Sequence, residues 1–173
     1  MIKIKKIKKS IFLLQIINIV FTYFEYIKNY SRVNIVASRF KFCGTDVIID
    51  YNVWFNNANK ISIGNGCFIG RDVYVNAYDD ISIGNDCSIA AGCKLISGNR
   101  SFEKNGIPIS VQELSIDKIV LQDDVWLGYD VIVLPGVTLK EGCVVAANSV
   151  VTQSFEAFSI IAGVPAKKIG NRT

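Results

Sequence analysis

Between Leu121 and Val151 an aliphatic residue returns every six positions without a slip: Leu121, Leu127, Val133, Leu139, Val145 and Val151. Four residues after each of the first five stands a small or β-branched residue: Val125, Val131, Val137, Cys143 and Ser149. One position before those come Asp124, Asp130, Gly136, Gly142 and Asn148. Gly, Asn and Asp tolerate φ > 0, so the chain can turn a tight corner at every sixth residue. A helix repeats every ~3.6 residues and a strand every two, and neither makes this pattern. Short strand, corner, short strand does. Three such sides close a coil of eighteen residues with one aliphatic row inside each side, which is a parallel β-helix.

The rows run back to Lys41 with a slightly longer repeat. Segments starting at Lys41, Ile61 and Ile81 align, with Cys43, Ile63 and Ile83 inside the first side. Ile49, Ile69 and Ile89 line the second side, and Phe55, Val75 and Leu95 the third. The two residues beyond eighteen collect after the third side, around Asn59–Lys60 and Asp79–Asp80. After the third coil this corner bulges from about residue 100 to 118, and IVLQDDV then re-enters the register. A long excursion on a rigid scaffold is where function usually sits. The sequence therefore predicts an all-β fold of about five coils over 41–154, with an excursion loop at 100–118. After Gln153 the period is lost, and 155–173 reads as a short C-terminal cap, which solenoids need for solubility.

Residues 1–40 form a separate basic and amphipathic segment. Lys3, Lys5, Lys6, Lys8 and Lys9 account for more than the whole formal net charge of +4, leaving the rest about neutral. That distribution argues against a nucleic-acid surface. From Ser10 the chain is strongly apolar, with Gln15, Asn18, Thr22, Glu25 and Asn29 spaced three and four apart along one narrow stripe of a helix. The apolar run is short for a membrane span of about 20 residues. Two readings stand: residues 1–30 lie on an anionic membrane surface, or the helix covers an open end or flank of the β-helix. The five cysteines lack Cys-x-x-Cys pairing and fall on inward positions, where cysteine packs as a small hydrophobe; a reducing cytoplasm fits them.

With its hexapeptides, the run DDVWLGYDVIVLPGVTL, the segment AANSVVT and the ending AGVPAKKI, the chain resembles the left-handed β-helix, hexapeptide-repeat acyltransferases. The nearest branch is that of the maltose and galactoside O-acetyltransferases, and the likeness covers about residues 41–169. It implies a left-handed coil and a homotrimer with active sites between neighbouring prisms. Acetyl-CoA is implied as acyl donor, a sugar or glycan as acceptor, and no metal takes part. Gly128–Tyr129 and, eighteen residues later, Ala146–Ala147 match the small outer corners along which the pantetheine arm runs. Trp126 matches the tryptophan beside the active site, and Thr152 and Lys167 match residues near the nucleotide end. Tight corner packing and a solvated tail are the structural alternatives for these small residues and for Lys167. Asn76 matches the acceptor-binding asparagine, although Asn56 holds the same place one coil earlier, so a structural asparagine ladder stays open.

The family's catalytic histidine stands at the start of the excursion, and the matching residue here is Arg100. The chain contains no histidine at all. Arginine stays protonated, so Arg100 is no general base; it can bind an anionic group or stabilise an oxyanion. Glu103 is the nearest substitute base. The same absence excludes the zinc carbonic-anhydrase-like proteins of this fold, which need three histidines. The resemblance implies an O-acetyltransferase acting on a sugar hydroxyl in surface-polysaccharide biosynthesis, in the cytoplasm or at the inner face of the membrane. The alternative is a catalytically silent homologue that serves as a sugar- or partner-binding trimer.

Overall fold

The structure, a computed structural model, describes residues 14–24 and 35–173. The five amino-terminal lysines, Glu25 and Asn29 lie outside the described residues. Residues 14–24 are helical, and every one of them is exposed.

The β-helix begins as the period requires. Its first coil is β1 (Phe42–Cys43), β2 (Ile48–Ile49) and β3 (Trp54–Asn56), one short strand per face. The second is β4 (Ile61–Ile63), β5 (Phe68–Ile69) and β6 (Tyr74–Asn76), and the third β7 (Ile81–Ile83), β8 (Ser88–Ile89) and β9 (Lys94–Ile96). The excursion contributes β10 (Gly98–Arg100) and β11 (Leu114–Ile116). The fourth coil is β12 (Ile119–Leu121), β13 (Trp126–Leu127) and β14 (Ile132–Val133); the fifth is β15 (Thr138–Leu139), β16 (Val144–Val145) and β17 (Val150–Val151). Strands of successive coils pair in parallel and in register, so like stacks on like: Ile63 on Ile83, Ile83 on Leu121, Leu121 on Leu139.

The corners take the predicted conformation. Asp124 (φ 56°), Asp130 (56°), Gly136 (80°), Gly142 (67°) and Asn148 (59°) are all left-handed. The three inward rows are buried along their length from Ile61 onward, and the small corner residues Cys67, Cys87, Val125 and Cys143 are buried beside them. The corner thiols also donate to carbonyl oxygens of the following coil: Cys67 to Gly84 (3.0 Å), Cys87 to Gln122 (3.1 Å), Cys93 to Gly128 (3.0 Å) and Cys143 to Glu156 (3.2 Å). Burial pushes the Cys93 thiol up to about 11 and also raises Cys43 and Cys143. These three thiols therefore stay neutral, whereas the hydrogen bond with Cys87 pulls the Cys67 thiol down to about 7. A second ladder runs outside the same corner, where the side-chain oxygens of Asn65, Asn85 and Asp123 accept the backbone N–H of Thr45, Asn65 and Asn85.

The structure extends the expected coils at both ends. Phe155 bridges Leu139 on the first face, and β18 (Ser159–Gly163) pairs β16 on the second, placing Ile161 on Val145. A partial sixth coil thus precedes β19 (Ala166–Asn171), which folds back antiparallel on β18. The period looked lost because Phe155 follows Val151 after four residues where the same corner one coil earlier, Val133 to Leu139, takes six. At the other end, Val36 and Phe40 pack on the core, and the Phe40 ring meets Phe55 edge-on at 4.8 Å between centroids. The first coil is closed by this short segment, while residues 14–24 stay exposed.

Candidate functional site

The predicted residues fall into two groups on either side of the third face. Asn76 ends β6 on that face. Its carbonyl accepts from the Ser97 N–H (3.1 Å), and from Gly98 the chain leaves the coil as the β10–β11 hairpin. Arg100 ends β10, opposite Leu114, and its guanidinium donates to the Ser110 carbonyl at 2.9 Å. The hairpin starts slightly earlier than sequence suggested, at Gly98, where a side chain would collide with Tyr78. Glu103 lies in the following loop, exposed, with no hydrogen bond to its carboxylate among the described residues. Thr152 is exposed just after β17, at the far end of the same face.

The second group lies on the second face and at the corner after it. Trp126 projects from β13 and is half exposed, between Ser88 and Val144 of the neighbouring coils. Gly128–Tyr129 turns the corner directly beneath Ala146–Ala147. A methyl group on Gly128 would lie 2.7 Å from the Ala147 nitrogen and 2.9 Å from the Val145 oxygen. Close approach of coils, then, requires this glycine. Above Ala146 the corner continues to Ala162, because the Ala146 N–H donates to Ile161 (2.8 Å). Lys167 on β19 is paired with Ala162, which sets an exposed ammonium at the end of the small-residue corner. Below Tyr129 the same corner opens into a groove of about 420 Å³ lined by Ala90, Ser88, Phe68, Arg71 and Asp50 among others.

One prism therefore assembles the small corner, Trp126 and Lys167, and separately assembles Asn76 with the Arg100 loop. It does not bring Arg100 or Glu103 to Trp126, because a whole face lies between them. Asn56 and Asn76 are in register, and the Asn56 amide donates to the Tyr74 hydroxyl (2.8 Å). Sequence reasoning missed two residues. Gln112 is buried in the excursion and donates to the Lys104 (3.0 Å) and Ile107 (2.9 Å) carbonyls while accepting from the Lys104 N–H. Arg71 faces the groove and donates to the Tyr51 hydroxyl at 3.0 Å. A lone glutamine in a polar loop carries no sequence signal. The Tyr51–Arg71 pair, twenty residues apart at one corner, could have been found from the repeat.

Coils, corner columns and excursion together define a parallel β-helix with six-residue sides. Residues 118–153 match the bacterial transferase hexapeptide (six repeats), and 60–95 match the hexapeptide repeat of succinyl-transferase. The chain thus carries two stretches of hexapeptide repeat similar to those of bacterial acyltransferases. A hexapeptide-repeat acetyltransferase of Vibrio cholerae, solved with acetyl coenzyme A, superposes with a TM-score of 0.76 at 26% identity, covering 82% of this chain and 76% of that one. Among curated relatives, the "Probable macrolide acetyltransferase" of Lysinibacillus sphaericus is 34% identical over 101 residues, 49% of this chain and 56% of that protein. The "Putative lipopolysaccharide biosynthesis O-acetyl transferase WbbJ" of Escherichia coli K12 is 48% identical over 63 residues, 36% of this chain and 32% of that protein. The chain spans about half the length of the curated relatives it matches, or less.

Proposed function

We propose that the protein is an acetyl-CoA-dependent O-acetyltransferase acting on a sugar hydroxyl, in surface-polysaccharide assembly. The observation that carries this reading is the small-residue corner. Gly128, Ala146 and Ala162 stack in one column beside Trp126, with Lys167 at its end, on a fold shared with an acetyl-CoA-bound acetyltransferase. A pantetheine arm fits along such a column because no side chain projects beyond Cβ. A lysine at its end suits a phosphate. The sugar acceptor is supported by the relative named for lipopolysaccharide O-acetylation.

The two residue groups meet only if a second copy applies its Arg100 loop to this corner, so the proposal includes a homotrimer with its sites between prisms. In the reaction a base takes the proton of the acceptor hydroxyl, and that oxygen attacks the thioester carbonyl. The tetrahedral intermediate collapses to the acetyl ester and the coenzyme thiol, which regains the proton. Glu103 is the carboxylate free for this role, and Asn76 orients the acceptor. Arg100 has one N–H bound to Ser110 and keeps its other donors for an oxyanion or an anionic acceptor.

The second reading, a catalytically silent sugar- or partner-binding trimer, is favoured by one fact: the chain has no histidine. Acetyl transfer to a sugar panel separates the two. On the enzyme reading, Glu103→Gln lowers turnover about 10²–10⁴-fold. The thermal shift produced by acetyl-CoA, which reports binding to the folded form, stays unchanged. The pH profile has no limb near about 6.5, there being no imidazole to titrate. Wild type inert on every acceptor, with transfer gained in Arg100→His, establishes the silent reading instead.

A further inference from the structure

Among the described residues, the amino-terminal helix packs against no other element. Residues 14–24 include Leu14, Ile16, Ile17, Ile19, Val20, Phe21, Tyr23 and Phe24, all exposed. Its polar members Gln15, Asn18 and Thr22 fall within an arc of about 60° at about 100° per residue. The apolar arc is thus far wider than the single stripe that one packed neighbour would bury. No helix among the described residues is long and apolar enough to cross a membrane.

A second apolar surface lies on the first coil. Outward positions there carry Phe42, Ile48 and Trp54, one on each face, at 57%, 60% and 62% exposure, with Tyr51 exposed at the corner between the last two. The same three positions two coils later are Ser82, Ser88 and Lys94. Phe68 and Trp126 are exposed at one such position in the second and fourth coils, but only the first coil carries an exposed large hydrophobic residue on all three faces, an aromatic and aliphatic collar. Tryptophan and tyrosine favour the headgroup layer of a bilayer, where an apolar ring and a polar edge are both accommodated.

Charge selects the occupant. Five lysines stand in residues 3–9, immediately before the apolar helix. Arg39, Lys41 and Lys60 flank the first coil, which also carries Asp46 and Asp50, so most of the attraction to an anionic surface comes from the amino-terminal lysines. We propose that the protein docks on anionic lipid bilayers, its helix in the interface and its prism standing end-on with the first-coil collar at the headgroups. A second copy of the chain is the competing occupant of the apolar arc. Nothing in the collar favours it, since three apolar residues on three different faces cannot all meet one neighbour.

The full chain is tested by co-sedimentation with vesicles of equimolar phosphatidylglycerol and phosphatidylcholine, and with pure phosphatidylcholine. Binding is expected on the first and to weaken with salt. Replacing the five lysines by glutamine is expected to lower the affinity by at least about 100-fold, at several-fold per lysine. Ile17→Glu/Phe21→Glu abolishes binding while the unfolding temperature of the prism is unchanged, because neither residue touches the core. Brominated lipid then reports orientation: Trp54 in the Trp126→Phe chain is quenched, and Trp126 in the Trp54→Phe chain is not. Failure of the full chain to bind anionic vesicles overturns the proposal. So does dissociation of an oligomer by Ile17→Glu/Phe21→Glu in a chain that ignores vesicles, which assigns the helix to a second copy. Quenching of Trp126 alone overturns the end-on orientation.

Discussion

Gly128→Ala tests whether the small corner is set by coil packing. The added methyl would lie 2.7 Å from the Ala147 nitrogen, 2.9 Å from the Val145 oxygen and 3.1 Å from the Ala147 Cα, all of them backbone atoms that cannot rotate away. The corner is also pinned by Gly128 N–H to Val145 (2.8 Å) and Asn148 N–H to Tyr129 (2.8 Å). Relief requires the fourth and fifth coils to part by a few tenths of an ångström, lengthening both bonds. Overpacking of this kind costs about 1–3 kcal/mol. At ~2–4 °C per kcal/mol for a chain of this size, Tm falls by about 4–8 °C at the middle of that range. Gly70→Ala is the internal replicate. Two coils lower its methyl meets the Ala91 nitrogen at 2.8 Å and the Ile89 oxygen at 3.1 Å, and it costs the same. Gly106→Ala is the contrast, since nothing lies within 4 Å and only its φ of +81° is strained; its cost is about 1–2 kcal/mol. Thermal unfolding followed by circular dichroism, with and without acetyl-CoA, reads all three. The Gly128 methyl points at the next coil and not outward, so the coenzyme-induced shift survives in Gly128→Ala. A Tm unchanged within 1 °C, or a normal Tm with the coenzyme shift abolished, refutes the packing account.

Two further outcomes follow from buried polar groups. The Ser159 hydroxyl is fully buried without a partner, because no coil above supplies the carbonyl that Cys143 finds; Ser159→Ala is expected to raise Tm by about 2–4 °C, for a gain of roughly 1 kcal/mol, and a fall counts against this. Burial holds the Cys93 thiol at about 11, so the unfolded chain ionises first; stability is full below pH 9 and falls as pH rises towards 11. Cys93→Val, which copies Val73 and Val131 at the same corner, flattens that slope in denaturant midpoints measured across pH 8–10.

The prism was legible because its determinants are local and repeat. A residue that tolerates φ > 0 before a small inward one marks each corner, and Asp124 through Asn148 all behave accordingly. Phe158 shows where such reading ends. It is left-handed (φ 59°) at the corner above Gly142, a conformation no sequence rule assigns to an aromatic, and the cap is what holds it there. The small corner was legible for the same reason as the coils, since Gly128 and Ala146 are eighteen residues apart. The excursion was legible only as an interruption. Its interior is held by single side-chain bonds spanning five to ten residues, which leave no period to detect.

Those bonds bear directly on the missing histidine. Arg100 to Ser110 closes one end of the loop, and Gln112 to Lys104 and Ile107 closes the other. Glu103 stands between the two clamps, its neighbour Lys104 fixed through both N–H and carbonyl while its own carboxylate faces solvent. On the proposed reading, arginine at position 100 does more than leave out a proton acceptor. It supplies a clamp on the segment that carries Glu103. A histidine placed at 100 forfeits the Ser110 bond, so any base it restores works from a looser loop. Gln112 becomes the residue on which a substitute base depends: without it, Lys104 loses both of its partners and Glu103 its fixed origin, while the β-helix beneath keeps every coil.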